Sequence, residues 1–269
     1  VINFGITLNF IGGSQMESGG NKKIGLALGG GSVLGAAHVG VFKALEEFDI
    51  KISFVAGTSI GAFIGALIAF GKDSEYIEEI VKDLNWLDIS SVSLSQYGLL
   101  SNKKLGNVIN ECIGKTDITS AKIPLAMVAT DITSGQRVIL KDEDVASAVM
   151  ASTCIPGIFV PVEIKDKLLV DGGIVENVPV SVIKDMGADL IIGVELKSKL
   201  RLSRPRNIIE VLLRSFDFTL QAATRLQVEK ADILIAPDLS NFNTFNVKQV
   251  PDLIEKGYDE AIKILKELR

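Results

Sequence analysis

Strands alternating with helices along most of the 269 residues predict an α/β fold with a mainly parallel sheet and some antiparallel hairpins. Three observations carry this. Short apolar runs, among them IGLAL at 24–28, PLAMVATDI at 124–132 and LIIGVEL at 190–196, recur between helical patterns. A glycine cluster, Gly29 to Gly31, follows the first of these runs, as it does where a buried strand turns into a helix. The third is the uncharged stretch SFVAGTSIGAFIGALIAFG at 53–71, which reads as strand, sharp turn and buried helix.

The first twenty residues stand apart. Ile2, Phe4, Ile6, Leu8 and Phe10 alternate with polar or small residues, and a Gly/Ser-rich stretch runs to Gly20. We read them as an appended or processed segment that would add an edge strand, with Met16 as a natural start, ahead of one catalytic domain over 21–269. Residues 22–28 form the first strand; Gly29, Gly30, Gly31 and Ser32 follow, then a helical pattern from Val33 to Phe48. Backbone amides at such a helix start suit a phosphate, a dinucleotide or an oxyanion. A phosphate loop would need GK[ST] where Leu34, Gly35 and Ala36 stand, and a dinucleotide site would need an acid where the next strand instead ends in Ser59.

That second strand enters Gly57, Thr58, Ser59, Ile60 and Gly61, a GxSxG pattern. The turn would lift the Ser59 hydroxyl clear of its own chain at a helix N-terminus, where developing negative charge is favoured. A membrane span is the competing reading, since Gly57, Gly61 and Gly65 have small-xxx-small spacing. Abundant Gly and Ala, scarce Leu and lysines at both ends (Lys51, Lys72) favour a core helix.

Further on, residues 72–86 read as an amphipathic helix, 87–101 as a nearly uncharged connector, and 102–113 as a helix ending at Gly114. A strand at 124–132 turns into 137–140 as a hairpin, and 142–151 is a short helix. FVPVEI and LLV flank a Lys165, Asp166, Lys167 turn. The second run ends in Asp171, Gly172 and Gly173, which places a carboxylate at a strand end. A short helix at 182–186, a buried strand at 190–196 and a basic loop at 197–206 follow. A long helix at 207–230 is expected to turn Ile208, Leu212, Phe216, Leu220, Ala223 and Leu226 to the core. A last strand at 233–236 and a helix at 251–268 close the chain.

Composition bounds the function. The chain is 47% hydrophobic with mean hydropathy +0.35, which favours a large core. A net charge of −5 and a pI near 5.1, with both signs dispersed, argue against nucleic acid as a partner. Cys112 and Cys154 show no metal or disulfide spacing, so packing in a reducing compartment is expected, and with no secretory pattern at the start the default location is cytoplasmic. Contact with a membrane is expected only at its surface, through an apolar rim or through Lys197, Lys199, Arg201, Arg204 and Arg206; a solvated loop is the alternative for that basic patch.

A Ser–acid–His order fails here, because the chain's one histidine, His38, precedes Ser59. An SxxK site fails as well, since Phe63 stands near Ser59 and no lysine does. A carboxylate or a distant lysine remains as base. LALGGGSVLGAAHVGVFKAL, GTSIGA, VATDITSG and LVDGGIVENVPV, in this order, resemble the patatin-like phospholipase family over nearly the whole chain after residue 20. The resemblance implies a three-layer α/β/α sandwich and hydrolysis of lipid acyl esters without calcium or another cofactor. It also implies Ser59 as nucleophile, Asp171 as its base and the amides around Gly30, Gly31 and Ser32 as oxyanion hole, with Gly29, Gly35, Gly57, Gly61, Gly172 and Gly173 completing the motifs. Asp131 and Asn177 match recurring family positions and read as structural supports. The chain departs from the family at Ser32, usually a third glycine, and at Leu34, usually a basic residue. An amide remains available at Ser32 if its backbone avoids positive φ. The substrates expected are phospholipids, lysophospholipids or acylglycerols; acyl transfer from the same acyl-serine, and a silent lipid-binding protein, are the alternatives.

Overall fold

In the computed structural model, residues 22–84, 91–95, 97–196, 204–205, 207–244 and 246–268 are described. The edge strand expected within residues 1–20 and all of the basic loop except Arg204 lie outside them. In chain order the elements are β1 (Ile24–Leu28), α1 (Ala36–Glu47), β2 (Ile52–Thr58), α2 (Ile60–Ala69), α3 (Ser74–Asp83), β3 (Ser91–Ser95), β4 (Gly98–Ser101) and α4 (Lys103–Ile113). They continue with β5 (Leu125–Asp131), β6 (Gln136–Leu140), α5 (Val145–Ser152), β7 (Gly157–Phe159), β8 (Val162–Ile164), β9 (Lys167–Asp171) and α6 (Val180–Asp185). The last four are β10 (Leu190–Val194), α7 (Ile208–Val228), β11 (Ile233–Ile235) and α8 (Val250–Glu267).

The main sheet runs β11-β10-β1-β2-β5-β9-β8, with β6 also paired to β5. From β11 to β5 every pairing is parallel, while β6, β9 and β8 join antiparallel. Side-chain alternation separates two unequal cores. Leu26, Leu28, Val55, Leu125, Met127 and Ile192 point into the larger one, packed by α1, α2, α5 and α8. Ala27, Ala56, Ala126 and Ile191 face the smaller one, under α6 and the end of α7. Small residues on one face and large ones on the other give a three-layer α/β/α sandwich with one thick side. All ten residues of α2 are buried, and among the described residues no helix is long and apolar enough to cross a membrane.

Two expectations change. The connector expected at 87–101 contains β3 and β4, which pair antiparallel and, with β7 beside β4, make a second three-stranded sheet. The apolar row expected to bury α7 does not do so: Ile208 is 66% exposed and Leu226 70%, whereas Leu220, Thr224 and Val228 are buried. Steps of four, from Ile208 to Leu220, advance about 40° each around a 3.6-residue helix, and steps of three, from Leu220 to Leu226, fall back about 60° each, so the row swings from the outer side to the inner and out again.

Candidate active site

Strand register brings the two predicted chemical residues to one level. Thr58 of β2 pairs with Val128 of β5, and the next residue, Ala129, pairs with Asp171 on the far side. Ser59, one residue beyond Thr58, therefore sits across β5 from Asp171, and the residue between them is alanine. Ser59 has φ 55° and ψ −125°, a conformation that an L-residue holds only under strain of about 1–3 kcal/mol. Its N–H donates to Ser152 Oγ at 2.9 Å, and that hydroxyl donates to Val128 O at 2.7 Å. Ser152 was not foreseen. It is a single polar residue closing the apolar helix α5, which carries no pattern readable from spacing.

The turn needs glycine on its helical side. A Cβ at Gly61 would fall 2.2 Å from the Leu28 carbonyl oxygen, so α2 begins in direct contact with the end of β1. Gly61→Ala must push these backbones apart. We expect a loss of about 1–3 kcal/mol in urea unfolding together with loss of Ser59 reactivity; a neutral effect would show that the contact can yield.

Asp171 closes β9 and is completely buried. Its main chain is fixed by Cys154 O, which accepts its N–H at 2.8 Å, and by the Thr130 hydroxyl, which donates to its carbonyl at 2.9 Å. Oδ1 accepts the Gly173 N–H at 2.8 Å, and Oδ2 has no hydrogen-bond partner among the described residues. Burial raises the carboxyl pKa to about 7, while the nearby Ser59 hydroxyl and the Gly173 amide favour the charged form. A carboxylate of ordinary pKa would be a feeble base at neutral pH; this one is poised where it can take or return a proton. Gly172 and Gly173 form the short turn that follows it.

The glycine loop passes directly over Ser59: a Cβ at Gly30 would lie 3.1 Å from Ser59 Cβ. The Gly30 amide, however, is not a free donor. It donates to Asn177 Oδ1 at 3.1 Å and to Asn177 O at 3.3 Å. Gly31 and Ser32 carry the loop's unengaged amides, with no acceptor among the described residues. Ser32 has φ 53°, inside the region expected to be avoided, and its N–H stays open nonetheless. Gly29 and Gly35 bracket this stretch, Gly35 within the turn that leads into α1.

His38 points to the loop rather than to the serine. Its Nε2 lies 2.7 Å from Gly29 O and must donate to that carbonyl, and burial lowers its pKa to about 4, so the ring is neutral. Asp131 holds the turn at 132–134, its two oxygens accepting the Thr133 N–H and the Ser134 hydroxyl. Both thiols are buried and form no disulfide, and burial raises Cys154 to about 12, which keeps its thiol protonated at neutral pH. Among the described residues no group of three His, Cys, Asp or Glu side chains converges on a metal position.

Beside the loop lies a cavity of about 480 Å³. Gly30 and Gly31 form part of its wall, with Leu34, Leu196, Leu220 and Asp217; neither Ser59 nor Asp171 lines it, and Gly30 belongs both to its wall and to the surroundings of Ser59. Burial raises the Asp217 carboxyl to about 6. Where the family carries a cation, Leu34 is buried and apolar.

Comparison with known proteins identifies the family of the chain. A family model described as patatin-like phospholipase matches residues 26–183. An uncharacterized NTE family protein of Mycobacterium tuberculosis is 33% identical over 184 residues, covering 68% of this chain and 51% of the relative. Lysophospholipase NTE1 of Pyricularia oryzae is 25% identical, covering 92% of this chain and 19% of the relative. Mouse patatin-like phospholipase domain-containing protein 6 is 33% identical over 190 residues, covering 65% of this chain and 14% of the relative. The chain thus spans about half the length of the mycobacterial relative and less of the other two. Among solved structures, VipD from Legionella pneumophila superposes with a TM-score of 0.65 at 15% identity, covering 94% of this chain and 69% of that one. By fold, by order of motifs and by the family model, this chain belongs to the patatin-like phospholipase family.

Proposed function

We propose that this chain is a serine acyl hydrolase that cleaves fatty-acyl esters of phospholipids, lysophospholipids or acylglycerols through an acyl-Ser59 intermediate. One observation carries the reading: a strained, partly accessible serine stands beside a buried carboxyl whose pKa of about 7 suits proton transfer. In the acylation step Ser59 Oγ attacks the ester carbonyl as Asp171 Oδ2 takes the hydroxyl proton. The carbonyl oxygen becomes an oxyanion that the Gly31 and Ser32 amides would stabilise, an interaction worth about 3–4 kcal/mol per donor. Collapse breaks the ester bond, and Asp171 returns the proton to the departing alcohol oxygen. Water then attacks the acyl-serine with Asp171 again as base, releasing the fatty acid and restoring the serine. Membership of a phospholipase family, and the lysophospholipase name of one relative, support a lipid ester as substrate.

Contact with a lipid surface fits the same site. Helix α7 contributes Asp217, Leu220, Gln221 and Thr224 to the cavity wall, and on its outer side it leaves Ile208, Val211, Phe218 and Leu226 exposed. Exposed Arg204 precedes it.

The test is fatty-acid release from a panel of phospholipids, lysophospholipids and acylglycerols, measured across pH. Because Asp171 must be unprotonated to act, kcat/KM should rise with pH through about 7 and then level off. Asp217 titrates nearby, at about 6, so the limb should persist in Asp217→Asn. No release from any lipid would contradict the hydrolase reading; a limb near pH 4 would contradict a buried base.

A further inference from the structure

The turn after Asp171 is bound to α7, and through one asparagine to the glycine loop. Asn177 Nδ2 donates to Thr224 Oγ1 at 2.9 Å, and the Thr224 hydroxyl proton is committed to Leu220 O at 2.6 Å, so the threonine oxygen can only accept. This settles which way the asparagine amide faces: Nδ2 toward α7 and Oδ1 toward the Gly30 N–H. Gln227, one turn further on, accepts the Asn177 N–H at 2.9 Å and the Val178 N–H at 3.2 Å, and donates to Val175 O at 3.2 Å. At its other end the Gly29–Gly30 peptide is held by His38 on Gly29 O. Both polar groups of that one peptide are thus pinned, and the unengaged amides of Gly31 and Ser32 follow it directly.

We infer that Thr224 and Gln227 are positioning residues for the proposed reaction, acting through Asn177 to hold the Gly29–Gly30 peptide and so to aim the Gly31 and Ser32 amides. The inference rests on the hydrolase reading. Without the Thr224 oxygen the Asn177 amide is free to rotate, and a rotated amide presents N–H to N–H at Gly30, against which stands only the longer 3.3 Å bond to Asn177 O. The peptide then turns, and donors aimed at the oxyanion are lost, while the cavity wall that Thr224 helps to form keeps its volume, because valine has the shape of threonine. Such a loss lowers kcat and leaves KM.

The experiment compares Thr224→Val, Thr224→Ser, Gln227→Met and Val228→Ala. Val228 is buried on the same side of α7 one turn from Thr224 and belongs to the apolar core, so its truncation loosens the helix without touching the polar link. Thr224→Val and Gln227→Met should lower kcat about 10- to 100-fold with KM within about twofold, and Thr224→Ser should restore kcat to within about threefold of wild type. In Thr224→Val the Gly30 amide should also exchange hydrogen faster, while amides in the middle of α1 keep wild-type protection. Wild-type kcat in Thr224→Val would overturn the inference, as would an equal kcat loss in Val228→Ala at matched thermal stability. A wild-type protein that cleaves no ester contradicts the hydrolase reading itself; Gly30 exchange then tests the link alone, and unchanged protection in Thr224→Val overturns it.

Discussion

Asp171→Asn is expected to lose turnover by about a thousand- to ten-thousand-fold while gaining stability. Both effects have one cause. The carboxyl is completely buried, and its pKa rises from 3.8 to about 7 because burial penalises the charge. Between those values the folded chain holds a proton that the unfolded chain has released, so stability falls as pH rises through the window from about 4 to about 7 and stays reduced above it. The asparagine removes that penalty and keeps the Oδ1 acceptor for Gly173. A shift of this size corresponds to at most about 4 kcal/mol. The variant should therefore melt above wild type at pH 8, and the difference should vanish near pH 4. Equal melting temperatures at pH 8 would mean that the folded protein accommodates the Asp171 charge without penalty.

The second large effect is at Ser59. Ser59→Ala and Ser59→Gly should both fall to background hydrolysis, because each lacks the attacking oxygen. They should differ in stability, since alanine inherits the strained φ of 55° and glycine does not. With about 1–3 kcal/mol of strain set against about 0.5–1 kcal/mol of extra chain entropy, the glycine variant should be the more stable of the two. Denaturant unfolding of the pair measures this directly, and a glycine variant no more stable than the alanine one would show that the turn is not strained.

What was legible beforehand was local. GxSxG after a short apolar run, three glycines after another and DGG after a third each announce a strand end in a few consecutive residues, and those strand ends lie together in the sheet. What was not legible depended on distant partners. In the second sheet β3 pairs with the neighbouring β4, and β4 also pairs with the distant β7, Gly98 opposite Gly157, so the serine-rich stretch read as a connector holds strands that its composition does not announce. The inner side of α7 is defined by Thr224 meeting Asn177, and a threonine between Leu220 and Val228 does not announce itself as part of a buried stripe. The engagement of the Gly30 amide was hidden for the same reason. So was the raised pKa of Asp171: an ordinary aspartate is a weak base at neutral pH, and only burial, which spacing does not reveal, lifts this carboxyl to about 7.

The reaction of the native protein with a fluorophosphonate probe, followed by mass spectrometry of the adduct, tests the central claim most directly. The account predicts a single adduct on Ser59, absent from Ser59→Ala and formed at a rate that rises with pH through about 7. A folded wild-type protein that takes up no probe, or one labelled equally in Ser59→Ala, would contradict it.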